Sequence, residues 1–190
     1  MYKLRGVFME KFYGEVFSRL QKHIKTIEKK QGAWMFTLII SGAISLFSYM
    51  LWMRISPPNS SKDFLNLSLP LSYFSKTVLS PFSCVLSFWV ATSFLKKNMA
   101  EKISNSEFLA KASVYTLVTI VLASVFNTRI PVVSVIVDVI SGFVYSVVMY
   151  DKFKPDFLNK ATITAAIVKI VMSAIGFLMG TTLLFFIVLN

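Results

Sequence analysis

The chain has one cysteine, one histidine and few charged residues. Because Cys84 is the single cysteine among 190 residues, the sequence contains no disulfide framework. We interpret Cys84 as a small apolar residue rather than a redox or metal-binding group. His23 has no second histidine and no set of cysteines or carboxylates at ligand spacing, so we expect no metal site and no cofactor.

The sequence motifs of common catalytic sites are also missing. There is no glycine-rich phosphate loop, no G-x-S-x-G and no H-E-x-x-H. Serines are numerous, but the apolar part of the chain offers no histidine base that would activate one of them. The sequence therefore predicts a protein that is not an enzyme.

Apolar composition indicates the fold class. Charged residues make up 15% of the chain, below the ~25% of soluble domains, and hydrophobic residues make up 55%. Mean hydropathy is +0.66. Five stretches approach the ~20 residues that cross a bilayer as a helix; they are 34–53, 77–95, 112–128, 130–150 and 162–189. We predict an all-α integral membrane protein with two parts, a basic amphipathic helix over 1–33 and a five-helix transmembrane bundle over 34–190.

Basic residues alternate in abundance along the connections and predict the orientation. The N-terminal segment and the second and fourth connections carry fifteen of them: Lys3, Arg5, Lys11, Arg19, Lys22, Lys25, Lys29, Lys30, Lys96, Lys97, Lys102, Lys111, Lys152, Lys154 and Lys160. The other side carries Arg54, Lys62, Lys76 and Arg129. Since Lys and Arg favour the cytoplasmic side, we expect the N-terminus inside and the C-terminus on the opposite side of a cell membrane, or of an endomembrane in a eukaryote.

Residues 3–28 combine an apolar stripe with a basic face. The apolar residues recur every three or four positions: Leu4, Val7, Phe8, Phe12, Val16, Leu20, Ile24 and Ile27. Such a helix can lie among anionic headgroups, which is the interpretation that we favour. The alternative is a docking helix for a soluble partner. The net charge of +11 follows from topology, and we expect no nucleic-acid partner.

The connections carry local signals. Ser104-Asn105-Ser106-Glu107 is a capping-box pattern, which predicts that the third span begins near Asn105, with Lys111 extending back to the headgroups. The partial polar and apolar alternation over 64–71 predicts an extended or turn-rich segment. Residues 127–129 predict a tight turn before the fourth span.

Two ionisable residues lie within the spans, Asp138 and Lys169. Because a lone charge in lipid is costly, we predict that they pair across the fourth and fifth spans. Gly142, Gly176 and Gly180 lie on small-residue faces that favour close helix packing. A substrate or proton site is the functional alternative to this structural pairing, and we favour the structural one.

Several features resemble the Yip-type family of five-span membrane proteins, which bind Ypt/Rab GTPases. They are the basic turn Leu95-Lys96-Lys97, the segment from Ser106 to Lys111, Val114-Tyr115, the turn before Pro131, and Lys160-Ala161-Thr162 at the last span. The chain lacks the family's long N-terminal domain and its glycine-rich second cytoplasmic turn, as in a short prokaryotic-like member. The resemblance implies an N-inside bundle without catalytic residues.

The resulting hypothesis is a non-enzymatic polytopic membrane protein. It would act as a scaffold or adaptor through its helix faces and its basic cytoplasmic helix, with anionic lipid headgroups and a membrane or cytoplasmic protein as partners. A small-molecule transporter, or a membrane component of one, is an alternative with its binding locus at Asp138 and Lys169. A third possibility is an accessory subunit of a larger membrane complex.

Overall fold

The computed structural model describes residues 2–55, 64–126, 131–154 and 157–189. These residues are helical over most of their length, and no β-strand is found among them. Their α-helices are α1 (Tyr2–Lys29), α2 (Ala33–Ile55), α3 (Phe64–Leu95), α4 (Asn105–Val125), α5 (Pro131–Val148) and α6 (Leu158–Leu189). Short 3-10 turns, Lys96–Asn98 and Tyr150–Lys152, follow α3 and α5.

Four helical segments of the described chain are long and apolar enough to cross a membrane. They are Ala33–Leu51, Leu79–Asn98, Asn105–Val125 and Leu158–Gly176. In α5 the apolar part, Val132–Val148, is shorter. The fold is therefore all-helical and compatible with an all-α membrane protein.

Large apolar side chains face outward along the bundle. Phe36, Phe47 and Phe94 expose 65%, 68% and 71% of their surfaces. The interior instead contains many small and polar residues, such as Ser41, Ser87 and Ser113. Exposing this much apolar area to water would cost roughly 25 cal/mol per Å², so the distribution is compatible with lipid around the helices.

An aromatic cluster joins α3, α4 and α5. The ring of Phe88 lies 5.3 Å from that of Tyr115 and 5.1 Å from that of Tyr145, and all three side chains are buried. The hydroxyls of Tyr145 and Thr92 are 3.1 Å apart and share a hydrogen bond. These contacts fix three helices at one level and satisfy the tyrosine's polar end.

Two local predictions have clear outcomes. The start of α4 at Asn105 is confirmed, since the Ser104 side chain accepts a hydrogen bond from the backbone N–H of Glu107 at 3.3 Å. The prediction of an extended or turn-rich segment over 64–71 is wrong, because α3 begins at Phe64. A helix satisfies its backbone groups internally, and here that outweighs the partial alternation of the side chains. The predicted turn at 127–129 lies outside the described residues.

Candidate functional site

The turns after α3 and α5 lie side by side at one end of the bundle. Met99 and Phe153 form an isolated antiparallel bridge, and the N–H of Ala100 donates to the carbonyl of Lys152 at 2.9 Å. The first turn of α4 joins them through ion pairs. These segments carry most of the charges in the described connections. Acidic and basic side chains are therefore close together at one end of the helix bundle, and we call this end the charged end.

Lys111 of α4 is fully buried beneath this charged end. Its Nζ donates to Oδ1 of Asp151 at 2.7 Å and to the carbonyl of Val148 at 2.9 Å, and Glu107 Oε1 lies 3.8 Å away. The prediction that Lys111 extends to the headgroups is wrong. The Asp151 carboxylate and the Val148 carbonyl, at the C-terminal end of α5, both lie within hydrogen-bond distance of the Lys111 ammonium. Both groups attract a cation.

Lys152 forms a second pair of ionic contacts beside the first. Its Nζ lies 3.1 Å from Glu107 Oε1 and 3.2 Å from Glu101 Oε2. Burial disfavours the ammonium and by itself would lower its pKa, but hydrogen bonds with Glu107 and Glu101 and the nearby charge of Asp151 outweigh burial and raise the pKa of Lys152. Glu107 therefore contacts both lysines and links α4 to the turn after α5.

Helix α1 lies across the charged end. The Phe17 ring packs edge-on against Tyr150 at 4.5 Å. Eleven residues later, Glu28 Oε1 accepts a hydrogen bond from the Ser106 hydroxyl at 3.4 Å. At 1.5 Å per residue, α1 crosses about 16 Å between the end of α5 and the start of α4. Ile24, between these anchors, is 1% exposed.

Asp151 also connects α1 to the buried lysine. Gln21 Nε2 donates to Oδ1 of Asp151 at 3.2 Å, the same oxygen that contacts Lys111. Leu20 and Ile27 pack against the core beside Ile24. The part of the apolar stripe whose side chains the structure describes therefore packs against protein.

Basic side chains remain exposed around the charged end. On α1 and just after it they are Arg19, Lys22, Lys25, Lys29 and Lys30, and on the other segments they are Lys96, Lys97, Lys102, Lys154 and Lys160. We call the first set the α1 basic face and the second set the basic collar. This surface could hold anionic groups.

The bundle interior holds Asp138 and Lys169, which are 6% and 5% exposed. Lys169 Nζ donates to Cys84 Sγ at 3.2 Å, and Asp138 Oδ1 accepts from the Ser173 hydroxyl at 3.2 Å. The two opposite charges interact electrostatically. Helices α3, α5 and α6 thus contribute to one buried polar cluster. The functional or structural role of the predicted pair stays a prediction.

Gly142 marks a close approach of α5 and α6. A Cβ there would lie 2.6 Å from the Thr162 carbonyl oxygen and 2.7 Å from Ala166 Cβ. Nearby, the hydroxyls of Ser146 and Thr162 are 2.6 Å apart. Gly176 has nothing within 4 Å of such a Cβ, and the surroundings of Gly180 lie outside the described side chains.

The sequence reasoning did not single out Glu107, Asp151 or Lys152 as a site. Glu107 and Lys111 show an i,i+4 pairing pattern that could have pointed to an ion pair. Within the residues that the structure describes, no group of three or more His, Cys, Asp and Glu could hold a metal ion.

Comparisons with known proteins give no match. No protein-family model, curated protein or solved structure matches this chain. The resemblance to the Yip-type family stays a prediction.

Proposed function

We propose that this chain is a five-span integral membrane protein that organises partners at its cytoplasmic face without catalysing a reaction. One observation carries the proposal. Large apolar side chains cover the outside of the bundle, whereas Lys111 and Lys152 are neutralised by carboxylates that gather at one end. This distribution suits a lipid-embedded bundle with a structured polar face.

The fifth span in this proposal is α5. Its 18 residues give a length of about 27 Å, close to the ~30 Å hydrocarbon core. It packs tightly on α6 at Gly142, and Val132, Ile136 and Phe143 expose apolar surface. A modest mismatch is accommodated by local thinning of the bilayer.

The positive-inside rule supports the orientation. The α1 basic face and the basic collar lie at the charged end, so this end faces the cytoplasm in the proposal. The collar lies where the helices end, at the level of the headgroups. Each cation near an anionic leaflet gains roughly 1 kcal/mol.

The contacts that the charged side chains make between helices support the scaffold role. The ion pairs of Lys111 with Glu107 and Asp151 hold the ends of α4 and α5 together. The hydrogen bond from Gln21 to Asp151 holds α1 against them. Such cross-linked ends provide a fixed surface for partners. The Yip-type resemblance contributes the same expectation of a non-enzymatic adaptor.

Reporter fusions at the two chain ends test the membrane part of the proposal. We expect the N-terminal reporter to be active only in the cytoplasm and the C-terminal reporter only on the other side. Both reporters on one side would contradict five spans. Purification of the tagged protein in mild detergent tests the scaffold part, since a fixed stoichiometric complex would instead favour an accessory subunit.

Transport is a second candidate function, and the buried polar cluster favours it. Lys169 and Asp138 place opposite charges inside the bundle, at contacts shared by α3, α5 and α6. In proteoliposomes, a transporter would lose uptake in Lys169→Met while its folded yield in detergent stayed normal. Loss of folded yield itself would support a structural role.

A further inference from the structure

We propose that the α1 basic face binds an acidic segment of a cytoplasmic protein, whereas the basic collar contacts lipid headgroups. This inference rests on the proposed membrane orientation and names the partner of the charged end. It starts from the position of α1, which crosses the charged end between Tyr150 and Ser106.

The orientation of α1 about its own axis decides which residues are free. Leu20, Ile24 and Ile27 point toward the bundle, where Ile24 is 1% exposed. At 100° per residue, Lys22, Lys25 and Lys29 fall on the opposite side of the helix. All three are exposed. This described part of the apolar stripe is packed against protein and is therefore not available for insertion into lipid.

The basic face therefore points away from the bundle and away from the bilayer. A helix with its side chains is about 10–12 Å thick, whereas the headgroup layer of one leaflet spans roughly 5–8 Å. Charges on the outer side of α1 thus stand beyond the headgroups, and at physiological ionic strength screening acts over about 8 Å. The leaflet in which the protein sits is a poor partner for them.

The charge pattern fits an acidic protein segment. Lys22, Lys25 and Lys29 repeat at three and four residues along one exposed face, which is the spacing at which side chains of a second helix or an extended peptide can meet them. Glu28 and Gln21 face the bundle and are engaged with Ser106 and Asp151. The face that they leave free is strongly cationic, so charge complementarity selects carboxylates.

The experiment uses the full chain in nanodiscs of neutral phosphatidylcholine. The probe is a fluorescent glutamate-rich peptide, titrated at low and at physiological salt. The test variant is K22E/K25E/K29E, and the matched control is K96E/K97E/K102E, which makes the same charge change on the basic collar. All six residues are exposed, so thermal unfolding should confirm that both variants remain folded.

We expect the α1 variant to bind the peptide about tenfold or more weakly, since each exposed ion pair contributes modestly and reversal adds repulsion. The control should change less than about threefold, and wild-type binding should weaken with salt. Equal losses in the two variants, or no peptide binding, would overturn the proposal. Stronger binding to added phosphatidylglycerol vesicles than to the peptide would overturn it in favour of an apposed membrane. A reversed topology in the reporter fusions would defeat the proposed function without altering these titrations.

Discussion

Lys111 Nζ lies 2.7 Å from Asp151 Oδ1, although the Lys111 side chain is fully buried and Asp151 is about a third exposed at 31%. The two residues stand 40 positions apart on different elements. The contact therefore gives a buried cation its counter-charge from the rim of the bundle. Because the same oxygen also accepts from Gln21, one carboxylate holds both the interior lysine and the crossing helix.

Replacing Asp151 with asparagine should destabilise the protein. The change leaves the buried Lys111 ammonium without the negative charge of Asp151. Because Asp151 is partly exposed, we expect the free energy of unfolding to fall by only about 2 kcal/mol. Unfolding can be followed in detergent by thiol labelling, because Cys84 is the single cysteine and is fully buried. We expect labelling at a lower temperature.

The double variant Asp151→Asn with Lys111→Met should regain much of this stability, because methionine removes the charge and keeps most of the volume. Glu101→Gln is the control, since the Glu101 side chain is 70% exposed and its loss should cost less than about 1 kcal/mol. Additive losses in the double variant would contradict a dependence of Lys111 on Asp151.

Stability should depend on alkaline pH through Lys152. Its folded-state pKa is raised above the ordinary value of 10.5, so its stabilising effect is complete below that pH. The effect disappears as the pH rises through the raised pKa. Thermal unfolding of the wild type and of Lys152→Met, followed by circular dichroism from pH 8 upward, should show a difference that shrinks above the ordinary pKa. A constant difference would indicate a contribution from packing alone.

Gly142→Ala should destabilise the contact between α5 and α6. The added methyl group would meet backbone atoms of α6 at 2.6–2.7 Å, and such overpacking costs about 1–3 kcal/mol. Gly176→Ala is the matched control because its position is open, and helix propensity predicts a gain of up to about 1 kcal/mol there. Both are measured by thiol labelling of Cys84, and equal unfolding temperatures would contradict the close packing at Gly142.

Asp138→Asn and Lys169→Met should each lower the yield of folded protein, and the double variant should recover. This expectation rests on the predicted pairing, in which each charge balances the other inside the bundle with a coupling of about 0.5–3 kcal/mol. Yield is measured as monodisperse protein in detergent. Cys84→Ala serves as a comparison, because it removes the group that Lys169 contacts at 3.2 Å without changing the charge. Independent losses without recovery would refute the pairing.

Much of the helical architecture could be predicted from the sequence. Long apolar runs signal helices, and the pattern from Ser104 to Glu107 located the start of α4 through backbone capping. The helix over 64–71 was not predicted. The alternation of side chains there reflects which residues are apolar, whereas the helix is determined by the hydrogen bonding of the backbone.

The charged end was harder to predict. The sequence analysis counted Lys111 and Lys152 among the surface cations because both lie in or beside the basic connections between spans. Their burial depends on the turn after α5 lying against α4, a tertiary contact that no local pattern encodes. Asp138 and Lys169 were identifiable because a charge within an apolar run stands out in any single sequence.

The surface against which α1 packs is formed by residues that the ribosome adds much later. Its anchors include Ser106, Tyr150 and Asp151, so the helix leaves the exit tunnel long before its docking surface exists. During that interval Leu20, Ile24 and Ile27 lack the surfaces of α4 and α5 against which α1 packs. Nascent chains should therefore need a membrane surface or a chaperone to shield this segment until about four-fifths of the 190 residues have been made.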